Sequence, residues 1–160
     1  MRKSKYRKNV GIVLVNKKGQ IWVGDISSSK CKDQFLQYHY QMPQGGIDDG
    51  ETPEQAVIRE LYEETGITQE KIELLKISSH WYRYDFPKWL SDKRSCTFKG
   101  QRQKWFLYRF LGEDRDFKLD AEKKPEFTGF KWLEPSDVLQ YVIPFKLKVY
   151  QKVIQEFFQK

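Results

Sequence analysis

The chain has 160 residues, 29 Lys and Arg against 22 Asp and Glu, a formal net charge of +7, and 39% hydrophobic and 16% aromatic residues. That length and aromatic content can bury a core without disulfides and exclude a disordered chain, so one domain over 1–160 is expected. No apolar run reaches membrane-span length and MRKSKYRKN has no apolar segment behind its charges, so neither a span nor a secretory signal is expected, and the expected compartment is the cytoplasm. Cys31 and Cys96 stand in no CxxC or Cys/His spacing, which argues against zinc and leaves both as free thiols. The positive balance suits either an anionic partner bearing phosphate or ordinary solubilising charge, and composition alone does not choose between them.

In chain order, Val10 to Val15 is a β-branched run, Asn16-Lys17-Lys18-Gly19 a turn, and Ile21 to Val23 a second strand, so the domain opens on a hairpin. From Asp25 to Tyr38 the chain is polar and serine-rich, the composition of a long surface loop. Thr52-Pro53-Glu54-Gln55 carries a cap, a proline suited to the first helical position and a Gln that completes a capping box. The helix is expected to run to Thr65 with Gly66 as its C-terminal cap, and Val57, Ile58, Leu61 and Tyr62 form its apolar stripe. Ile72 to Ile77, Trp81 to Tyr84, Trp105 to Leu111 and Phe130 to Leu133 are aromatic and β-branched and predict strands. Leu147, Tyr150, Val153, Ile154, Phe157 and Phe158 return to helical spacing. The fold class is therefore α/β in the α+β sense, a mixed sheet sandwiched between helices.

On the capped helix Glu60, Glu63 and Glu64 stand at i, i+3 and i+4 and crowd one face. Each like-charged pair costs roughly 0.2–0.5 kcal/mol unless a cation lies between its members. The face is either solvated acid or a seat for a hard divalent ion such as Mg²⁺, which takes carboxylate oxygens and bridges them to substrate phosphates. Upstream, Gln41-Met42-Pro43-Gln44-Gly45-Gly46 runs into a glycine-rich loop, where backbone can approach a ligand closely. The whole string is Gly45, five residues, Glu51, seven residues, then Arg59-Glu60-Leu61-x-Glu63-Glu64-x-Gly66-Ile67.

This string closely resembles the signature of the Nudix hydrolases, with every defining position filled. The resemblance implies hydrolysis of a nucleoside diphosphate linked to another group, dependent on Mg²⁺ with Mn²⁺ as a substitute, and with two or more ions when substrate is bound. It also implies Glu60, Glu63 and Glu64 as metal ligands, one of them the base that activates water, and the Gly45 carbonyl as a further ligand. Glu51 and Arg59 would form an ion pair that orients loop against helix. Tyr6 to Gly11, Tyr40 to Gly46, Gly100 to Phe106, Pro125-Glu126-Phe127 and Phe145-Lys146 further resemble the bacterial RNA pyrophosphohydrolase group, which includes dinucleoside polyphosphate hydrolases. By that likeness Glu126 joins the metal site, Arg7, Gln101, Lys104 and Lys146 bind the phosphate chain, Phe145 stacks on a nucleobase and Tyr84 lines the nucleotide pocket.

The substrate implied is an RNA 5′ end, converted from triphosphate to monophosphate to start mRNA decay. The alternative is a dinucleoside polyphosphate such as diadenosine tetra- or pentaphosphate. Membrane and DNA are not expected partners, and an activating protein partner is left open. A non-catalytic sensor would be expected to lose one of the crowded glutamates, and all three are present.

Overall fold

The computed structural model describes residues 5–26, 38–90, 98–120 and 125–159. Most of the polar loop expected over Asp25–Tyr38, and both cysteines, lie outside the described residues. Among the described residues eight strands form one sheet: β1 (Tyr6–Val15), β2 (Ile21–Asp25), β3 (Tyr40–Gln41), β4 (Gln44–Gly46), β5 (Ile72–Ile77), β6 (Tyr82–Asp85), β7 (Gly100–Phe110) and β8 (Gly129–Leu133). Among the described residues the helices that frame the sheet are α1 (Pro53–Thr65), α2 (Pro135–Tyr141) and α3 (Leu147–Phe158).

β1 and β7 run parallel at the centre, in register from Tyr6 beside Gly100 to Val15 beside Arg109. The other pairings are antiparallel: β2 and β4 on β1, β5 and β6 on β7, and β3 and β8 on β2. The sheet is thus mixed, as expected. Side chains alternate across β1, so Val10, Ile12 and Leu14 pack with Ala56, Val57 and Leu61 of α1. Val13 and Val15 pack on the other side with Val138 of α2 and Tyr150, Val153 and Phe157 of α3. Two cores, one on each face, make the sandwich. Among the described residues no helix is long and apolar enough to cross a membrane.

α1 begins as its sequence requires. Thr52 Oγ1 accepts from Gln55 N at 3.1 Å and Gln55 Oε1 accepts from Thr52 N at 2.9 Å, closing the capping box. Gly66 ends the helix at φ 74°, a left-handed conformation that costs glycine nothing. Three features differ from expectation. β7 begins at Gly100 rather than Trp105, because polar Gln101 to Gln103 are paired on both sides by β1 and β6, and Lys104 by β1. Gln44–Gly46, expected as loop, is a strand on β1. α2, which opens on Pro135, is an additional helix.

Candidate active site

Arg59 organises the site. Its Nε donates to Glu51 Oε2 and its Nη2 to Glu51 Oε1, both at 2.8 Å, a two-pronged pair, and Nη2 also donates to the Gly46 carbonyl at 2.9 Å. The ion pair expected between loop and helix is therefore present, and it fastens β4 to α1. Glu51 Oε1 also accepts from Asp48 N at 2.9 Å. Arg59 holds the Glu51 carboxyl down at about 2, and Glu51 in turn raises the guanidinium's pKa.

The same guanidinium lies between two of the crowded carboxylates, with Nη1 donating to Glu60 Oε1 at 2.9 Å and Glu63 Oε2 at 3.1 Å. An internal cation thus offsets the repulsion expected from the i, i+3 spacing. Glu64 sits one residue further on the helix, half-buried, and its charge reaches the buried phenol of Tyr150, whose pKa burial raises. Among the described residues no three acids, imidazoles or thiols converge on a common point.

Glu60 is more enclosed than Glu63, its side chain 14% exposed against 38%. Burial pushes its carboxyl up to about 7, with Glu63 and Asp48 adding to the shift and Arg59 opposing it. Its neighbour is Gly45: a Cβ there would fall 1.9 Å from Glu60 Cδ and 2.1 Å from Oε2, so only glycine lets β4 pass. A desolvated carboxylate pressed on a glycine backbone is a donor set of hard oxygens, the kind that Mg²⁺ takes, and the residues present fit that ion.

A carboxyl whose folded pKa stands above its ordinary 4.5 favours the fold when protonated, so this contribution is complete below about 4.5 and lost as pH rises through about 7. Glu51 works in the opposite direction, stabilising above 4.5 and losing its effect as pH falls towards about 2. In metal-free buffer the difference in Tm between Glu60→Gln and wild type should therefore shift in the variant's favour between about pH 5 and about pH 8. Calorimetry at the two pH values checks this, and a constant difference contradicts it.

The substrate-contact candidates divide between the two faces of the sheet. Arg7, Gln101 and Tyr84 form one row across β1, β7 and β6, since Arg7 pairs with Gln101 and Gln101 with Tyr84. Arg7 is exposed, and its guanidinium covers Gly46, where a Cβ would fall 2.2 Å from Nη2. Tyr84 is buried, its ring 5.6 Å from Phe145, and Gln44 Nε2 donates to its hydroxyl at 3.4 Å. Lys146 is also buried, donating to Gln41 Oε1 at 3.2 Å, with its ammonium 5.9 Å from both rings. Glu126 Oε1 accepts from Gln41 Nε2 at 3.5 Å, so Gln41 links it to Lys146. Lys104 stands beside Val10, in the row that faces α1.

The NUDIX domain profile matches residues 5–154. The chain belongs to the Nudix family. An RNA pyrophosphohydrolase of Novosphingobium aromaticivorans is 43% identical over 153 residues, covering 95% of this chain and 92% of that protein. An RNA pyrophosphohydrolase of Mannheimia succiniciproducens is 41% identical over 156 residues, covering 95% and 74%. The structure of the E. coli dihydroneopterin triphosphate pyrophosphohydrolase superposes with a TM-score of 0.71 at 18% identity, covering 97% of both chains, which bears on the fold alone.

Within this Nudix site three amides were not singled out from sequence. Gln103 is 1% exposed; its Nε2 donates to Asn9 Oδ1 at 2.8 Å and Gln44 Oε1 at 3.2 Å, and its Oε1 accepts from Trp105 Nε1 at 3.2 Å. Gln44 carries the network on to the Tyr84 hydroxyl, and Gln41 separately joins Lys146 to Glu126. Each lies inside one of the motif strings, but a neutral amide carries neither charge nor periodicity to mark it; only strand register on β1 brings Gln44 and Gln103 together.

Proposed function

We propose that this Nudix protein is a Mg²⁺-dependent RNA 5′-pyrophosphohydrolase of the cytoplasm, in which water attacks a phosphoanhydride so that a 5′-triphosphate end leaves as monophosphate plus pyrophosphate. The observation that carries the chemistry is the Glu60 carboxylate seated on Gly45, with Arg59 tying it to Glu63. The RNA assignment is supported by the relatives' names and by the coverage of the match along this chain. Gly45, Glu60, Glu63, Glu64 and Glu126 would hold the ions. Bound Mg²⁺ supplies charge neutralisation at the phosphate oxygens and acidifies water.

The chain's own residues do the rest. One of the three helix glutamates accepts the proton of the attacking water, a role suited to a carboxylate whose pKa lies near the working pH. Arg7, Gln101, Lys104 and Lys146 hold the phosphate chain, Arg and Lys being its natural partners. Phe145 stacks on the first nucleobase with Tyr84 behind it.

The test is a competition in Mg²⁺ among 5′-triphosphate RNA, diadenosine tetraphosphate and an ordinary nucleoside triphosphate, compared by kcat/KM. RNA is expected to win, and excess EDTA to abolish turnover. A higher kcat/KM for the dinucleotide overturns the RNA assignment, and undiminished turnover in EDTA overturns the metal assignment. Phe145→Ala should raise KM on RNA about tenfold, the loss of about 1–3 kcal/mol of stacking, with kcat changed less than about threefold. An unchanged KM removes Phe145 from the base site.

A further inference from the structure

The seam between β6 and α3 runs away from the Tyr84 and Phe145 rings and is open to solvent. Two adjoining hollows of about 550 and 530 Å³ share Trp81, Tyr82 and Lys152 as walls and so form one groove. One wall follows the chain back from Tyr84 to Trp81; the other follows the sequence forward from Phe145 to Lys148 and Lys152. At strand and helix rises, each wall extends about 10 Å from the ring pair.

The chemistry of this groove is basic and aromatic. Arg83, Arg102, Lys148 and Lys152 line it, and the Arg102 guanidinium lies 4.9 Å from the Trp81 ring. Among the described residues Arg102, Lys148 and Lys152 form no ion pair with a carboxylate, and Arg102 Nε is buried with no acceptor. The acid among the described lining residues, Glu156, is already engaged, accepting from the Tyr82 hydroxyl and from Ser79 N. Three cations with no ion-pair partner among the described residues, beside a half-buried indole, outweigh that one carboxylate and suit a polyanion whose bases stack, which is a single-stranded nucleic acid. A dinucleoside polyphosphate, with no chain beyond its second nucleoside, makes no use of such a groove.

We propose that this groove is a track for the RNA body, holding the nucleotides 3′ of the one seated at Tyr84 and Phe145. The proposal rests on the RNA reading above and adds the residues that would make the enzyme prefer a polymer. The test compares wild type with Lys148→Ala/Lys152→Ala, and separately with Trp81→Ala, on a 5′-triphosphorylated dinucleotide and on a 5′-triphosphorylated RNA of about 12 nucleotides. The lysines are exposed helix-surface residues, so the double variant retains the fold.

The expected result is a rise in KM of about fivefold for the longer RNA and none for the dinucleotide, with the salt slope of binding reduced by about 1.4, the share of two phosphate contacts on a single strand. An equal loss on both substrates, or no loss on the longer one, overturns the track. Should wild type cleave neither RNA, the proposed function fails and the track is judged by fluorescence anisotropy of a 5′-hydroxyl RNA of the longer length. Weaker binding by the double variant then supports it, and equal binding overturns it.

Discussion

Glu64→Gln is expected to lower kcat for pyrophosphate release by at least about a hundredfold while Tm stays within a few degrees of wild type. The substitution preserves shape, and Gln and Glu have nearly the same helix propensity, so α1 should persist. What it removes is charge. A metal ligand and a general base both require the carboxylate, so the expected loss does not depend on which role Glu64 plays. The effect on stability should have the opposite sign: Glu60 and Glu64 are like charges at i, i+4, and neutralising one relieves roughly 0.2–0.5 kcal/mol. Lower activity with equal or higher stability separates loss of a chemical group from structural damage. Glu63→Gln is a less clean test, because Glu63 also accepts from Arg59 Nη1 at 3.1 Å. A Glu64→Gln enzyme with kcat within about threefold of wild type, measured by pyrophosphate release beside a thermal melt, refutes the assignment.

The legible parts of the fold are those whose signals are local. Thr52, Pro53, Gln55 and Gly66 bracket α1 within a few residues, and all four occupy the positions their chemistry requires. The apolar spacing of α3 and the hairpin of β1 and β2 are local in the same sense. The parallel pairing of β1 with β7 is not, because Tyr6 meets Gly100 across most of the chain and nothing near either residue announces the other. β4 has the composition of a loop, because two of its three residues are glycine, which normally interrupts a strand. Here the glycines mark close approach, with Glu60 above Gly45 and Arg7 above Gly46.

The candidate site divides in the same way. The Glu51 and Arg59 pair is expected from the motif and is found at 2.8 Å. That Arg59 also bridges Glu60 and Glu63 follows only from its rotamer, since spacing places all three on one helix without saying where the guanidinium points. Lys146, expected as a phosphate contact, is buried against Gln41 with Tyr84 and Phe145 close by, a position its neighbours in sequence do not disclose. Asn9, Gln44 and Gln103 are amides bonded to one another, and Gln44 also donates to the Tyr84 hydroxyl, so this side of the sheet is ordered before any nucleotide arrives.

Gly45→Ala should reduce kcat about a hundredfold through a single methyl group, the order of loss that follows when a reacting group is misplaced by about 1 Å. The new Cβ would lie 1.9 Å from Glu60 Cδ, so one of the two must move. β4 cannot move readily, because Gln44, Gly45 and Gly46 are paired in register with Gly11, Val10 and Asn9. Glu60 is the end of a flexible side chain, so its carboxylate rotates away, and its 2.9 Å bond to Arg59 Nη1 goes with it. Losing that charged hydrogen bond costs about 1.5–3 kcal/mol at most, since the guanidinium keeps Glu51 and the Gly46 carbonyl. Gly45 is not in the left-handed region, so alanine also stiffens the unfolded chain and returns about 0.4–1 kcal/mol. The net change in Tm is therefore a few degrees beside a large loss of activity. A double-mutant cycle then locates the cause: if the methyl acts through Glu60, Gly45→Ala adds almost nothing to the loss already produced by Glu60→Ala. Multiplying losses would instead place the effect in the Gly45 backbone itself, and full activity of the single variant would dissolve the link between glycine turn and catalytic carboxylate.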